Sequence, residues 1–224
     1  MTPRETFIKA LKREPITGHV PHFELVMFLT MESIGRIHPL HRDYGQWDQM
    51  SAKEQDLHLK DMALAYIETA EKYHHSAIFV HPNPGVNGDL PGNIESTRRI
   101  LEKVRELSGD EYFLMVHGDP TMAIPNGDNM TDVAVMMYEE PEKIHDYTKR
   151  RMEEAQKLAE EMKKQPGLLD GFALCSDYCF NTNPFYSREM FEEFVTPYLK
   201  GICDFYRSLG YYSIKHTDGN VMPI

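Results

Sequence analysis

Tyr112-Phe113-Leu114-Met115-Val116-His117, followed directly by Gly118-Asp119-Pro120, is the stretch on which the fold turns. Its apolar run is short, and the breakers after it stop any continuation, so it reads as a compact strand. The same signature recurs along the chain. Ser76-Ala77-Ile78-Phe79-Val80-His81 ends at Pro82-Asn83-Pro84-Gly85, Asp170 to Asp177 runs GFALCS between its acids, and Gly210 precedes Tyr211-Tyr212-Ser213-Ile214-Lys215-His216. His19 to Val26 is extended as well, with Pro21 suiting a strand start.

Helical patterns lie between these strands. Thr2-Pro3-Arg4-Glu5 is a capping box with proline in the first turn, and its helix stops before Pro15. Ser51-Ala52-Lys53-Glu54 caps a second helix running to Tyr73, and Asn93 to Ser108 forms a third. A broken helical stretch spans 130–138, and a charged helix leads from Pro141 to Gln165. Ser187 to Leu209 reads as one helix with an apolar stripe through Phe194, Ile202 and Tyr206. Residues 27–50 have no sustained period and read as a long functional loop with one helical turn.

Short apolar strands alternating with helices indicate an α/β protein built from parallel βαβ units. No G-x-G-x-x-G turn follows the first strand, which favours a (β/α)8 TIM barrel over a dinucleotide fold. A full barrel takes about 250 residues. Five strands in 224 residues give the expectation of a single barrel domain over 1–224, with five of eight βα units and incomplete at its C-terminal side. Its open edges are expected to aggregate, swap domains or pair with another chain, a homo-oligomer being one such outcome.

Lys and Arg number 24 against 35 Asp and Glu, a net charge of −11, which argues against nucleic acid or an anionic membrane as the main partner. No apolar run approaches the ~18 residues of a membrane span, and the opening residues lack the core of a secretory signal. Cys175, Cys179 and Cys203 are too few for a disulfide framework, and a cytoplasmic location fits.

The chemistry is expected where the strands end. Parallel barrels build their sites at C-terminal strand ends, and each strand here carries a polar set: His22 and Glu24, His81, His117 and Asp119, Asp177, and His216 and Asp218. These five sets are expected around one cavity. His216 and Asp218, two apart on a strand, project together and suit either two metal ligands or a base with its orienting acid. Gly219 permits the sharp turn toward Asn220. Plainer readings also hold: Asp119 and Asp177 as turn or cap residues, His38 and His41 as solvated, His74 and His75 as helix-end groups, Cys175 and Cys179 as small core residues.

Several blocks occur in order along the whole chain: Met1-Thr2-Pro3-Arg4-Glu5, Gly118-Asp119-Pro120, Cys175-Ser176-Asp177-Tyr178, Phe185 to Phe191, Val195-Thr196-Pro197-Tyr198 and Lys215 to Asn220. This series resembles the uroporphyrinogen decarboxylase superfamily, which includes zinc methyltransferases that serve corrinoid proteins. The resemblance implies a (β/α)8 barrel, a small-molecule substrate, a divalent metal (zinc) and methylcobalamin on a partner corrinoid protein in one-carbon or O-demethylation metabolism. By that resemblance His216 and Asp218 hold the metal, and Asp177, His117 and His81 orient substrate or move protons. His22, Glu24, Asp119 and Asn220 hold the substrate, and a further metal ligand would lie beyond Ile224.

Two departures from the family pattern matter. True decarboxylases of this type carry an arginine-rich segment after the first strand, whereas Phe23 to Glu32 holds no cation before Arg36. A porphyrinogen ringed by carboxylates needs guanidinium forks, so the methyltransferase branch is favoured over tetrapyrrole decarboxylation in porphyrin biosynthesis. Asp218 also stands where the methyltransferase pattern has cysteine, giving a harder site suited to an oxygen or amine acceptor or to a methoxy donor. The rival enzyme is a decarboxylase with Asp177 or His216 as proton donor, and the rival of another class is a non-catalytic barrel that binds a corrinoid or a partner protein.

Overall fold

The computed structural model describes residues 1–81, 84, 86–87 and 90–224. Helix α1 (Pro3–Leu11) has the expected capping box, with the Thr2 side chain accepting from the Glu5 amide and Glu5 returning to the Thr2 amide. The expected loop over 27–50 contains a short helix, α2 (Phe28–Ser33), and 3-10 turns at Pro39–His41 and Trp47–Gln49. Helix α3 (Ala52–Tyr73) carries the second capping box at Ser51 and ends where His74 adopts φ 57°. Then come β1 (Ala77–Phe79), β2 (Val86–Asn87), β3 (Leu90–Pro91), α4 (Ile94–Ser108) and β4 (Phe113–His117). Next are α5 (Met130–Glu139), α6 (Pro141–Lys163) and β5 (Gly171–Leu174). The chain continues through α7 (Arg188–Phe194), α8 (Thr196–Ser208) and β6 (Tyr212–Lys215).

The main sheet has the order β1-β4-β5-β6, and β2 pairs with β3 in a separate two-stranded piece. β1 and β4 are parallel, with Ala77, Ile78 and Phe79 opposite Phe113, Leu114 and Met115. Each strand of the main sheet lies beside its predecessor, an order shared by any arc of a (β/α)8 barrel.

Two expectations about elements are corrected. No strand forms over His19–Val26 among the described residues. Pro21 has no amide to offer a ladder, although the Ser76 amide donates to the His22 carbonyl at 2.7 Å. The helix expected over 187–209 is two helices, interrupted at Val195, where φ is −116°. Pro197 sits in the first turn of α8, where its missing N–H does least harm, and a proline inside one continuous helix would break its ladder.

Contacts group the chain into two units. The first holds Met1–Asn87, Pro91–Val116 and Met162–Gly171, with α3 packed on α4 and on β1. Its core includes Tyr66, Ile78, Ile100, Phe113 and Leu114, all sealed from solvent. The second is formed mainly by His117–Glu161 and Phe172–Ile224. There Ile144, Tyr178, Cys179, Tyr186, Phe194 and Val195 form an apolar cluster, and the Phe172 and Tyr206 rings stack at 4.0 Å.

Candidate functional site

In the second unit the sheet delivers its polar residues just past the ends of β4, β5 and β6. Asp119, two residues beyond β4, is fully buried. Its Oδ1 accepts from the Thr121 amide and hydroxyl, and its Oδ2 from the Ser176 amide (2.9 Å) and Lys215 Nζ (3.0 Å). Lys215 donates again to the Ser176 carbonyl at 2.7 Å and lies 4.2 Å from the Tyr178 ring centroid. Tyr178 shares a 2.7 Å hydrogen bond with Thr121, and burial pushes its phenol far above the usual range. This buried ion pair leaves no Asp119 oxygen uncommitted.

Asp177, His216 and Asp218 stand outside that knot. The Asp218 amide donates to Asp177 Oδ1 at 2.8 Å, which holds the turn after β6 against the end of β5. His216 Nε2 lies 3.5 Å from Asp218 Oδ1, with both side chains open to solvent. The His216 amide is fixed by the Leu174 carbonyl at 2.9 Å, so its backbone is still part of the sheet. Gly219 then turns at φ +84°, where a Cβ would fall on the Phe180 and Cys179 carbonyls; no other residue fits without moving that loop. Asn220 is tied by its side chain to the Thr182 carbonyl and the Met222 amide.

His117 closes β4 and is buried, and desolvation drives its pKa down to about 4 against the opposing pull of Asp119. A neutral ring at neutral pH can orient a substrate, but it is too weak a base to take a proton there.

The first unit holds the remaining candidates. His81 follows β1 and is buried, with its amide donating to the Tyr66 hydroxyl at 3.1 Å and its ring 4.9 Å from that of His38. His38, expected to be solvated, is 1% exposed because Phe28, Tyr66 and His81 pack around it. Its Nδ1 accepts from the Leu40 amide, and burial lowers its pKa to about 4. His22 lies at the other end of β1: its carbonyl binds the Ser76 amide and its ring the Tyr73 carbonyl at 3.1 Å. Glu24 is half-buried nearby and acts electrostatically on His75. The two ends of β1 therefore separate His22 from His81.

Both buried histidines are expected to make stability depend on pH. Their folded pKa values near 4 lie below the ordinary 6.5, so the unfolded chain binds more protons between those limits. Stability is then full above pH ~6.5 and falls as the pH drops toward 4, by about 3 kcal/mol for each ring. Denaturant midpoints measured across this range should show that slope, and His38→Gln and His117→Gln should each flatten it. A flat wild-type profile would sink the argument.

His216 and Asp218 are a nitrogen and an oxygen donor of the kind divalent metals take, but zinc wants at least three protein ligands. Among the described residues no group of three or more His, Cys, Asp or Glu is placed to hold a metal. The pair alone does not complete such a site. The structure brings the expected residues Asp177, His216 and Asp218 together and adds Lys215, to which the sequence assigns no role and whose alternation on β6 places it opposite to His216. The only available signal was its position one residue before that histidine.

Fold and site together define an α/β protein of parallel βαβ units whose strand ends gather carboxylates and imidazole. In fold the chain is similar to a methyltransferase from Methanosarcina mazei, with a TM-score of 0.66 over 100% of this chain and 72% of that one. At 17% identity the likeness is one of fold. No protein-family model and no curated protein matches the chain. No helix among the described residues is long and apolar enough to cross a membrane.

Proposed function

We propose that this chain belongs to a methyltransferase of the uroporphyrinogen decarboxylase type, working on a small molecule with a corrinoid protein as methyl donor. The observation that carries the reading is the Asp177–Asp218–His216 arrangement beyond β5 and β6, joined by the 2.8 Å bond from the Asp218 amide. Its place in a fold like that of a methyltransferase supports it.

A hydroxyl, amine or thiol acceptor loses its proton to His216, whose imidazolium Asp218 stabilises at 3.5 Å. The acceptor's electron pair would form the new bond to the methyl carbon, with the pair of the broken bond left on the corrinoid, which would supply the methyl group when bound. Asp177 fixes the turn that carries Asp218, and His117, neutral near pH 7, serves as an orienting group. The alternative use of the same pair is as ligands of a divalent metal, with further ligands required; a metal on His216 would take the lone pair that otherwise receives the proton, so the two roles exclude each other. Asn220 is proposed as a substrate-side group, whereas His22 and His81, at opposite ends of β1, do not share a cavity.

Tetrapyrrole decarboxylation is less well served. Arg36, the first cation after the expected first strand, is held by Glu68 at 2.8 and 2.6 Å and by Asp61 at 2.9 Å. Three of its five N–H groups are spent on these two acids, which already neutralise its charge, so it is a poor fork for a polycarboxylate.

The test is methyl transfer from free methylcobalamin to a thiol and a phenol, followed by the absorbance change of the cobalt centre, with metal content measured on the same sample. His216→Ala should lower the rate by about a hundredfold. It should cost no more than about 1 kcal/mol of stability, because the side chain is outside the core. A large fall in Tm with activity per folded molecule intact makes His216 structural and overturns the reading. Demethylation absent in the wild type, with porphyrinogen decarboxylation present, hands the site to the rival enzyme. Neither activity, with corrinoid binding retained, leaves a binding protein.

A further inference from the structure

The second unit contains a cleft of about 1040 Å³ that shares no residue with the Asp177–His216–Asp218 cluster. It lies between the segment 121–125, α5 and the first half of α6. Its volume is at the upper end of what small-molecule sites use.

Two features of its lining point to one kind of ligand. The floor is apolar: Met122, Ala123, Val133, Met136 and Ile144. α5 explains why this surface is available, since it is rich in Val, Ala and Met but buries only Met137 among its described residues. Met122, Val133 and Met136 pack on the buried cluster from one side and face the cleft from the other. The rim is cationic, with Lys143, Lys149, Arg150 and Arg151 against Asp146 and Glu153. This positive rim belongs to a chain whose net charge is −11.

The rim cations are unequally committed. Lys143 pairs with Glu140, and Lys149 lies 3.5 Å from Asp146. Arg151 donates to the Asp119 and Pro120 carbonyls and sits 5.7 Å from the Tyr147 ring centroid. Arg150 gives only its Nε, to the Asp146 carbonyl, and its terminal nitrogens meet no acid among the described residues. Arg150 is thus the guanidinium placed to take an external anion.

We propose that this cleft binds a planar aromatic anion, with its ring system on the methionine-lined floor and its carboxylate or sulfonate at Arg150 and Lys149. Thioether sulfur and the Arg151–Tyr147 pair favour a flat π-face over a flexible acyl chain. The charged end stays at the open rim, where it keeps part of its hydration, and the apolar body leaves water.

The probe is 2-naphthoate, titrated into the whole protein by calorimetry with 2-naphthalenemethanol as its neutral counterpart. One site is expected, with the alcohol about tenfold weaker or worse. The double variant Lys149→Glu, Arg150→Glu should raise Kd by about tenfold or more, and added salt should weaken the wild type but not the variant. Val133→Trp, which fills the floor, should abolish binding while leaving the Asp177–His216–Asp218 cluster untouched. Circular dichroism and a thermal melt establish that each variant is folded. If Val133→Trp does not fold, the exposed rim variant decides. No heat at millimolar 2-naphthoate overturns the proposal, as does equal binding of the alcohol or of the folded rim variant.

Discussion

Asp119→Ala is expected to destabilise the second unit by about 3–5 kcal/mol, the cost of leaving one partner of a buried ion pair without the other. The carboxylate is fully buried, and its loss strands the Thr121 and Ser176 amides together with Lys215 Nζ. Those donors come from the ends of β4, β5 and β6, so one substitution loosens the turns that carry Asp177 and His216. Denaturant unfolding of the variant should show the loss. Replacing Lys215 by Met in the same chain should recover part of it, because the uncompensated charge is then gone. If Asp119→Ala unfolds like the wild type but abolishes substrate binding, the residue is a ligand-binding group and the structural role is wrong.

Asp170→Ala should cost a similar ~3–5 kcal/mol in the first unit. Arg4 grips Asp170 through Nε at 3.0 Å and Nη2 at 2.6 Å, Arg105 through Nη2 at 2.6 Å, and the Leu114 amide at 2.9 Å. The carboxylate ties α1 and α4 to the starts of β4 and β5. Burial works against the Arg105 charge, with Asp170 compensating, so removal of the acid leaves a guanidinium in a poorly solvated place. Hydrogen exchange should show faster opening of β4 amides in the variant. Arg4→Ala removes the more exposed partner and should cost much less; equal costs would refute the claim that the buried Arg105 side dominates.

Neither knot was visible as a knot in the sequence. By sequence Asp119 suits a substrate group or a turn residue, because Gly118-Asp119-Pro120 advertises a turn and nothing local reveals Lys215, 96 residues away. Asp170 was only the first residue of a strand, and Arg4 lies 166 residues before it. His38 went the other way. Its irregular surroundings suggested solvent, but Tyr66 and His81 converge on it from α3 and from the end of β1. A polar residue's partners are set by which elements meet, and no short-range spacing records that.

What the sequence determined by itself is the set of elements whose cause is local. Apolar runs bounded by Gly or Pro marked β1, β4 and β6, a run between Asp170 and Asp177 marked β5, and the boxes at Thr2 and Ser51 set the starts of α1 and α3, because a side chain three residues away satisfies the first free amides. Gly219 was rightly a turn, and its positive φ made it so. Local signals failed where a competing tertiary choice existed: Pro21 with its flanks formed no strand, and the stripe from 187 to 209 broke at Val195 ahead of Pro197. Only the tertiary structure decided that Asp119 turns inward to Lys215 while Asp177 and His216 stay open, and that His22 and His81 lie at opposite ends of β1. The physical reason is that strand polarity and burial belong to the assembled sheet: a carboxylate is drawn inside only when an ammonium or amides from other strands arrive to meet it.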